Sequence, residues 1–143
     1  MDTLNGALSA SASGLNAEKT RIEAAVSNLA NADTTRGPDG QPYRRRDVVL
    51  ATDQTQSFDA ALGQTGAVGV QVAAVVQDPT PPRMRYDPTH PDANKDGFVA
   101  LPNVSAPEEM VNMIGAARAY QANLSAIGLI RDLIQKAIDL GHS

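Results

Sequence analysis

Residues 8–29 read LSASASGLNAEKTRIEAAVSNL and carry a leucine or isoleucine at every seventh position. The row consists of Leu8, Leu15, Ile22 and Leu29. A seven-residue apolar repeat is typical of helices that pack along their length against other helices. We therefore predict a helix over residues 3–32, which would be about 45 Å long at roughly 1.5 Å per residue. It should end in the polar residues before Gly37 and Pro38, because that pair marks a turn.

The C-terminal part of the chain repeats this pattern. Met113, Tyr120, Ile127 and Ile134 are spaced by seven residues, and Met110, Ala117 and Leu124 form a companion row three positions earlier. Ser105 and Glu108 form an S-x-x-E capping box, and Pro107 suits the first helical turn. These signals predict a second long helix over residues 106–140.

The intervening residues follow a different period. Valines alternate with other residues from Val68 to Val76, which predicts a strand, and the prolines at 79, 81 and 82 end it because proline cannot donate to a ladder. Shorter strand candidates lie at residues 48–50, 83–86 and 98–101, whereas residues 51–67 have the composition of a loop.

Together these elements predict an α+β fold. Two long terminal α-helices would pack as a coiled-coil-like pair, with a small, mainly antiparallel β domain between them. The predicted segments are an N-terminal assembly helix and polar turn at 1–35, the β-rich domain at 36–104 and a C-terminal assembly helix at 105–143.

Composition limits the kinds of function. The net charge of −4 is spread evenly along 143 residues, so no segment has the positive field that nucleic acid would require. The absence of cysteine excludes disulfides and thiolate metal sites, and no apolar run is long enough to cross a bilayer. The first residues lack the pattern of a cleavable signal peptide, so an exported chain would use another route. We expect no cofactor, no nucleic-acid partner and no membrane insertion.

One motif imitates a calcium site. Residues 92–97, DANKDG, match the opening of an EF-hand loop, with glycine at the sixth position. The twelfth position should be glutamate but is Asn103, and Pro88 and Pro91 occupy the place of the preceding helix. A hairpin turn, in which Asp, Asn and Gly supply left-handed conformations, is therefore favoured over a calcium-binding module.

Other candidate chemistry is weaker. Residues 44–46 are all arginine and could bind phosphate, but they adjoin Asp47 and a strand, which favours solvated charge or a protein contact. His90 would have to act almost alone as a metal ligand or catalytic base. Because the sequence has neither a nucleophile motif nor a paired carboxylate signal, we expect no enzyme, and a peptidoglycan-acting enzyme would lack an acid pair.

The heptad rows admit two interpretations. The helices could pack on each other within one chain, which would cover one stripe on each. Their other faces, however, carry small and weakly charged residues such as Ser9, Ser13, Ala116 and Ala119, whereas monomer surfaces are normally richer in charge. Helices enclosed by neighbouring subunits would have this composition, so an assembling subunit is favoured.

The sequence also resembles a known family. Residues 11–17, SASGLNA, and 27–35, SNLANADTT, resemble the serine- and alanine-rich helix and the Asn-Leu-Ala-Asn segment of bacterial flagellar rod and hook proteins. Further similarity to the rod proteins of this family lies in residues 42–49 (PYRRRDVV), 87–94 (DPTHPDAN), 97–99 (GFV), 102–104 (PNV), 108–113 (EEMVNM) and 118–123 (RAYQAN). The resemblance covers nearly the whole chain, in order and without large gaps.

The resemblance implies a structural subunit of the proximal rod of the flagellar basal body. Such a subunit would leave the cell through the flagellar type III export apparatus and assemble helically in the periplasmic space with copies of itself and with other rod subunits, transmitting torque. Another axial rod or hook subunit is the alternative. The residues expected at subunit interfaces are Leu8, Leu15, Ile22, Leu29, Asn28, Asn31, Met110, Met113, Tyr120, Gln121, Asn123, Leu124, Ile127 and Ile134.

Overall fold

Two long helices flank four short strands in the computed structural model, which describes residues 2–53 and 68–141. The elements in chain order are α1 (Asp2–Ala30), β1 (Arg46–Thr52), β2 (Val70–Gln77), β3 (Arg83–Tyr86), β4 (Phe98–Leu101) and α2 (Ala106–Gly141). The predicted α+β class is confirmed. Most of the predicted loop at 51–67 lies outside the described residues. Neither described helix has an apolar stretch long enough to span a membrane.

The chain forms two compact units, and each contains parts of both helices and of β1 and β2. Of the described residues, the first unit holds 2–20, 49–53, 68–74 and 115–141. The second unit holds 21–48 and 75–114, and therefore includes the whole of β3 and β4.

Strands β1 and β2 pair in an antiparallel sheet. The Asp53 N–H donates to the Gly69 carbonyl at 2.9 Å, and the Asp78 N–H donates to the Arg45 carbonyl at 2.8 Å, so the end of one strand meets the start of the other. From Gly69 to Asp78 the chain moves on by nine residues, whereas from Arg45 to Asp53 it moves on by eight. The β2 side of the pair therefore has one extra residue, as in a β-bulge. Every residue of β2 from Ala73 to Gln77 is exposed, including Val75 and Val76, so the alternation of burial stops after Val72.

Strands β3 and β4 form a hairpin in the register Met84↔Ala100 and Tyr86↔Phe98. The turn between them closes with the Asp87 N–H donating to the Gly97 carbonyl at 2.9 Å. One face of the hairpin is buried through Val99 and Leu101, and Pro102 and Val104 continue this core into the segment before α2. The hairpin predicted at residues 83–86 and 98–101 is therefore present.

Alanines make the closest helix packing. The buried apolar residues of the described chain are Ala17, Ala25, Val99, Leu101, Val104 and Ala116. Half of them are helical alanines, which let backbones approach because they carry only a methyl group. The heptad leucines of α1 and Ile22 are half-buried instead, so the most buried apolar residues of α1, Ala17 and Ala25, lie beside the predicted row.

We expect Gly97→Ala to destabilise the protein by about 2–3 kcal/mol, and Gly40→Ala by only about 1 kcal/mol. Both glycines have positive φ, at +80° and +75°, which costs any L side chain. A Cβ at Gly97 would also lie 2.9 Å from Tyr86 Cε2, whereas a Cβ at Gly40 would meet nothing within 4 Å. Thermal unfolding followed by circular dichroism measures the difference. Equal losses would mean that the contact with Tyr86 adds no penalty.

Candidate assembly surface

Asn28, in the last turn of α1, is 1% exposed and uses every hydrogen-bonding position of its amide. Its Nδ2 donates to the Arg46 carbonyl at 2.8 Å and to Glu109 Oε2 at 3.0 Å. Its Oδ1 accepts the Arg46 N–H at 2.8 Å and the Tyr43 hydroxyl at 3.0 Å. Both backbone groups of Arg46 thus bond to one amide, as they would to a residue on a neighbouring strand. The side chain joins the end of α1, the start of β1 and the start of α2.

Glu109 is the second buried polar residue of this cluster, at 2% exposure. Its Oε1 lies 2.6 Å from Arg45 Nε, and Arg45 Nη1 also lies 3.6 Å from Asp47 Oδ2. Burial by itself would lower the pKa of the Arg45 guanidinium, but the hydrogen bond and charge of Glu109, together with Asp47 and Asp78, raise this pKa above its usual value. Arg45 is therefore held as a cation inside the protein, and only Arg44 and Arg46 of the arginine run are exposed.

Asn31 directly follows α1 and starts the next turn. Its Nδ2 donates to the Ser27 carbonyl at 2.9 Å, which adds a second donor to a carbonyl that also accepts the Asn31 N–H at 3.2 Å. Its Oδ1 accepts the Thr34 hydroxyl at 3.2 Å, and its own carbonyl accepts the Thr34 N–H at 3.1 Å. The two asparagines of the Asn-Leu-Ala-Asn segment therefore have different structural roles. Asn28 connects α1, β1 and α2, whereas Asn31 bonds only to the end of α1 and the following turn.

In the calcium-like loop at residues 92–97, donors of the protein itself bond to the side-chain oxygens of Asp92 and Asn94. Asp92 Oδ2 accepts the Thr35 hydroxyl at 2.8 Å, and Asp92 Oδ1 lies 3.1 Å from Arg36 Nη2. Asn94 Oδ1 accepts two backbone N–H groups of the turn, each at 2.9 Å. The Nδ1 of His90 accepts the Asp92 N–H at 3.0 Å. Within the part of the chain that the structure describes, no group of three acidic or histidine side chains is placed to bind a metal ion.

In the first unit, small residues bring α1 against its neighbours. Ser13 Oγ donates to the Ala10 carbonyl at 2.7 Å and accepts the Val70 N–H at 3.0 Å, so the hydroxyl connects α1 to the start of β2. A Cβ on Gly14 would lie 2.8 Å from Asn123 Nδ2, which shows that α2 reaches the α1 backbone here. Gly14 and Asn28 are two heptads apart on α1, as are Glu109 and Asn123 on α2.

The predicted interface residues fall into three groups by exposure. Asn28 is buried. The half-buried residues are Leu8, Leu15, Ile22, Leu29, Asn31, Met113, Tyr120, Asn123, Ile127 and Ile134. Met110, Gln121 and Leu124 are exposed. The heptad rows are thus partly covered within one chain, while the companion row of α2 is more open to solvent.

A second apolar row on α2 was missed from the sequence. Val111, Leu129 and Leu133 are 69%, 63% and 47% exposed. At about 100° per residue they lie roughly 150° around the helix from the heptad row of Met113 to Ile134. The spacing of these three residues is not a multiple of seven, so a search for heptads passes over them. Projecting the sequence onto a helical wheel would have found the row.

Glu109, Arg45, Tyr43 and Ser13 were also absent from the predicted site. Glu109 and Asn28 are 81 residues apart in sequence, and an acidic residue in the first turn of a helix already has an ordinary explanation in the helix dipole. The arginine run and Tyr43 belonged to the segments of family resemblance, but nothing local in the sequence indicates that Arg45 points inward.

Comparison with known proteins identifies the family. Residues 8–38 match the family model described as flagella basal body rod protein, and residues 95–140 match the one described as flagellar basal body rod FlgEFG protein C-terminal. The flagellar basal-body rod protein FlgC of Salmonella typhimurium LT2 is 42% identical over 91% of this chain and 92% of its own length. The FlgC proteins of Bacillus subtilis 168 and Borreliella burgdorferi B31 are 39% and 37% identical, each over 94% of this chain and 95% of their own length. The chain therefore belongs to the FlgC family and is a structural subunit of the flagellar basal-body rod.

Proposed function

We propose that this subunit builds the rod through its terminal helices, which pack against copies of itself and against other rod proteins. The observation that carries the proposal is the second apolar row on α2, formed by Val111, Leu129 and Leu133. A helix that is apolar on two opposite sides is normally enclosed by neighbours. Because the heptad side is already half-covered within the chain, the opposite side is the one available to another subunit.

The composition of the helices supports close lateral packing. Buried alanines and Gly14 allow α1 and α2 to approach each other, and the exposed positions of α2 include Leu124, Leu129, Leu133 and Leu140. Exposed apolar rows of this kind mark protein interaction sites. The predicted interface residues Met110, Gln121 and Leu124 remain exposed beside the heptad row and would complete a wider contact.

The finer placement of the subunit is part of the same proposal. We place it in the proximal rod, in the periplasmic space, where a continuous shaft of packed helices would transmit torque towards the hook. Export would use the flagellar type III apparatus without a cleavable signal peptide. The role is structural rather than catalytic, which agrees with the names of the relatives and with the turn-like use of Asp92 and His90.

We expect the double variant Leu129→Glu, Leu133→Glu to abolish incorporation into basal bodies while changing the free energy of unfolding of the isolated chain by less than about 1 kcal/mol. Both leucines are exposed in the chain, so folding loses little, but two carboxylates would have to be buried in the assembled rod. Swimming in soft agar and immunoblots of isolated basal bodies give the first result, and circular dichroism gives the second.

Gln135→Glu is the matched control, since it adds a carboxylate to an exposed position of the same helix. It should incorporate normally. A leucine double variant that also incorporates normally and supports swimming would overturn the proposed role of the second apolar row.

A further inference from the structure

A concave site lies beside the polar turn that follows α1. It has a volume of about 560 Å³, and its walls include residues of the turn at 37–42, of the segment at 43–46 that leads into β1, and Gln77 at the end of β2. All of its lining residues belong to the second unit. Ligand sites usually have volumes of about 300–1,000 Å³, so this site is large enough for a short stretch of peptide. We call it the turn pocket.

The walls of the turn pocket are held in place by backbone hydrogen bonds. The Gly37 N–H donates to the Gln41 carbonyl at 2.7 Å, and the Gly40 N–H donates to the Gly37 carbonyl at 3.0 Å. At the base of the turn, the Tyr43 N–H donates to the Thr34 carbonyl at 3.2 Å. The pocket is therefore formed before any ligand arrives, which lowers the entropic cost of binding.

Two exposed arginines give the turn pocket its charge. Arg44 and Arg46 line it, whereas Arg45, between them, bonds to the buried Glu109, as expected when side chains alternate along an extended chain. Among the residues that the structure describes, neither Arg44 nor Arg46 has a carboxylate within ion-pair distance. The Arg46 guanidinium lies 5.9 Å from the centroid of the Tyr43 ring. Both cations can therefore accept an anionic partner from outside the chain.

The other groups of the turn pocket suit a peptide. Asp39 is the one carboxylate among the lining residues, and its Oδ1 accepts the Gln41 N–H at 3.1 Å within the turn. The pocket thus carries local positive charge on a chain whose net charge is −4. The side-chain amides of Gln41 and Gln77 are exposed and can bond to a peptide backbone, while Pro38 and Pro42 supply apolar wall.

We propose that the turn pocket binds an extended acidic segment of a neighbouring rod subunit, with a carboxylate of that segment held by Arg44 and Arg46. A guanidinium pairs with a carboxylate through two parallel hydrogen bonds, and arginine is enriched among the residues that dominate interface energies. A single inorganic anion would fill only a small part of the pocket, and the net charge of the chain opposes binding of nucleic acid. The inference rests on the proposed assembly of the subunit, but it uses no residue of the second apolar row.

Charge reversal in the full chain tests the role of the two arginines. We expect the double variant Arg44→Glu, Arg46→Glu to lower incorporation into basal bodies by about tenfold or more, because like charges across an interface repel strongly. Both side chains are exposed, so thermal unfolding followed by circular dichroism should stay close to that of the unchanged protein. Arg44→Lys, Arg46→Lys keeps the charge and should incorporate better than the glutamate variant. Lys95→Glu reverses an exposed charge of the same unit outside the pocket and, as the matched control for Arg44→Glu alone, should incorporate normally.

Photocrosslinking identifies the bound segment. Gln77 is exposed and lines the pocket, so a copy in which p-benzoylphenylalanine replaces Gln77 would be assembled into basal bodies and irradiated. We expect an adduct with another rod subunit, at a peptide that contains an aspartate or a glutamate. Changing that acidic residue to arginine should restore incorporation of the Arg44→Glu variant. The same amino acid in place of Lys95 should not form this adduct.

Three results would each overturn the proposal. The first is normal incorporation of the variant with glutamate at positions 44 and 46. The second is an adduct at position 77 with a peptide that lacks a carboxylate or with a component that is not protein. The third is a basal body that contains the photoreactive copy but forms no adduct on irradiation.

These results are independent of the test of the helix surface. If glutamate is tolerated at positions 44 and 46 but not at 129 and 133, the role of the turn pocket is wrong while assembly through α2 stands. If glutamate is tolerated at all four positions, assembly through α2 is wrong as well.

Discussion

Asn28→Asp is expected to lower the free energy of unfolding by about 3–5 kcal/mol, the range observed when a buried charge loses its compensation. The amide Nδ2 now donates to the Arg46 carbonyl at 2.8 Å and to Glu109 Oε2 at 3.0 Å. An aspartate would turn both donations into contacts between acceptors and would place its charge beside the Glu109 carboxylate. The remaining bonds, from the Arg46 N–H and the Tyr43 hydroxyl, would be kept.

Asn28→Ala separates the loss of the amide hydrogen bonds from the effect of the added charge. It removes the amide without adding charge, so it leaves two backbone groups of Arg46, the Glu109 carboxylate and the Tyr43 hydroxyl each short of one partner. We expect a loss of about 2–3 kcal/mol, since a buried polar group without its partner costs about 1–3 kcal/mol. Urea unfolding followed by circular dichroism at 222 nm measures both variants; the chain has no tryptophan to report by fluorescence.

Asn16→Asp is the matched control for the charge, because Asn16 lies on an exposed face of the same helix. Its stability should change by less than about 0.5 kcal/mol. If Asn28→Asp proved as mild as Asn16→Asp, the four-bond role of Asn28 would be wrong. The ordering Asp worse than Ala is the more specific requirement, because loss of packing alone would destabilise the Ala variant, which leaves a cavity, more than the Asp variant, which keeps the volume of Asn.

The elements of this fold were largely readable from the sequence because they depend on local signals. Apolar periods of seven predicted both helices, and α1 ends at Ala30, close to the predicted end at residue 32. Residues 83–86 alternate arginine with larger apolar or aromatic residues, and residues 87–97 are rich in turn formers, so the strands of the β3 and β4 hairpin were also predicted. The bulge in β2 was not predicted, since it depends on pairing with a distant strand.

The polar cluster illustrates what local signals cannot give. The family resemblance included Asn28 and Asn31 as residues expected at subunit interfaces, whereas within one chain Asn28 is buried and Asn31 bonds to Ser27 and Thr34. Glu109 and Arg45 could not be paired, because their partnership joins the starts of α2 and β1 across 64 residues of sequence. Similarly, the heptad rule identified one side of α2, whereas Leu129 and Leu133 follow the helical period of 3.6 alone.

Arg45→Met is expected to lower the free energy of unfolding by on the order of 3 kcal/mol, because it leaves a buried carboxylate without its cation. Glu109 is 2% exposed, and its Oε1 accepts Arg45 Nε at 2.6 Å, so the methionine would leave Asn28 Nδ2 as the remaining donor to this group. The aliphatic part of the arginine would be replaced at similar length. The measured loss would therefore report mainly on the charge rather than on packing.

The double variant Arg45→Met, Glu109→Gln should be more stable than Arg45→Met alone, by about 1–2 kcal/mol. A glutamine oxygen can still accept from Asn28 Nδ2, and its amide group can reach the polar cavity of about 200 Å³ that Asn28, Arg45 and Glu109 line together. Removing the Glu109 charge should thus recover part of the stability that is lost with the Arg45 charge. In the presence of Arg45, however, Glu109→Gln alone should be destabilising, because it weakens a hydrogen bond to a cation. If the effects of the two substitutions simply added, the ion pair would contribute nothing as a pair, and the junction of α1, β1 and α2 would depend on Asn28 alone.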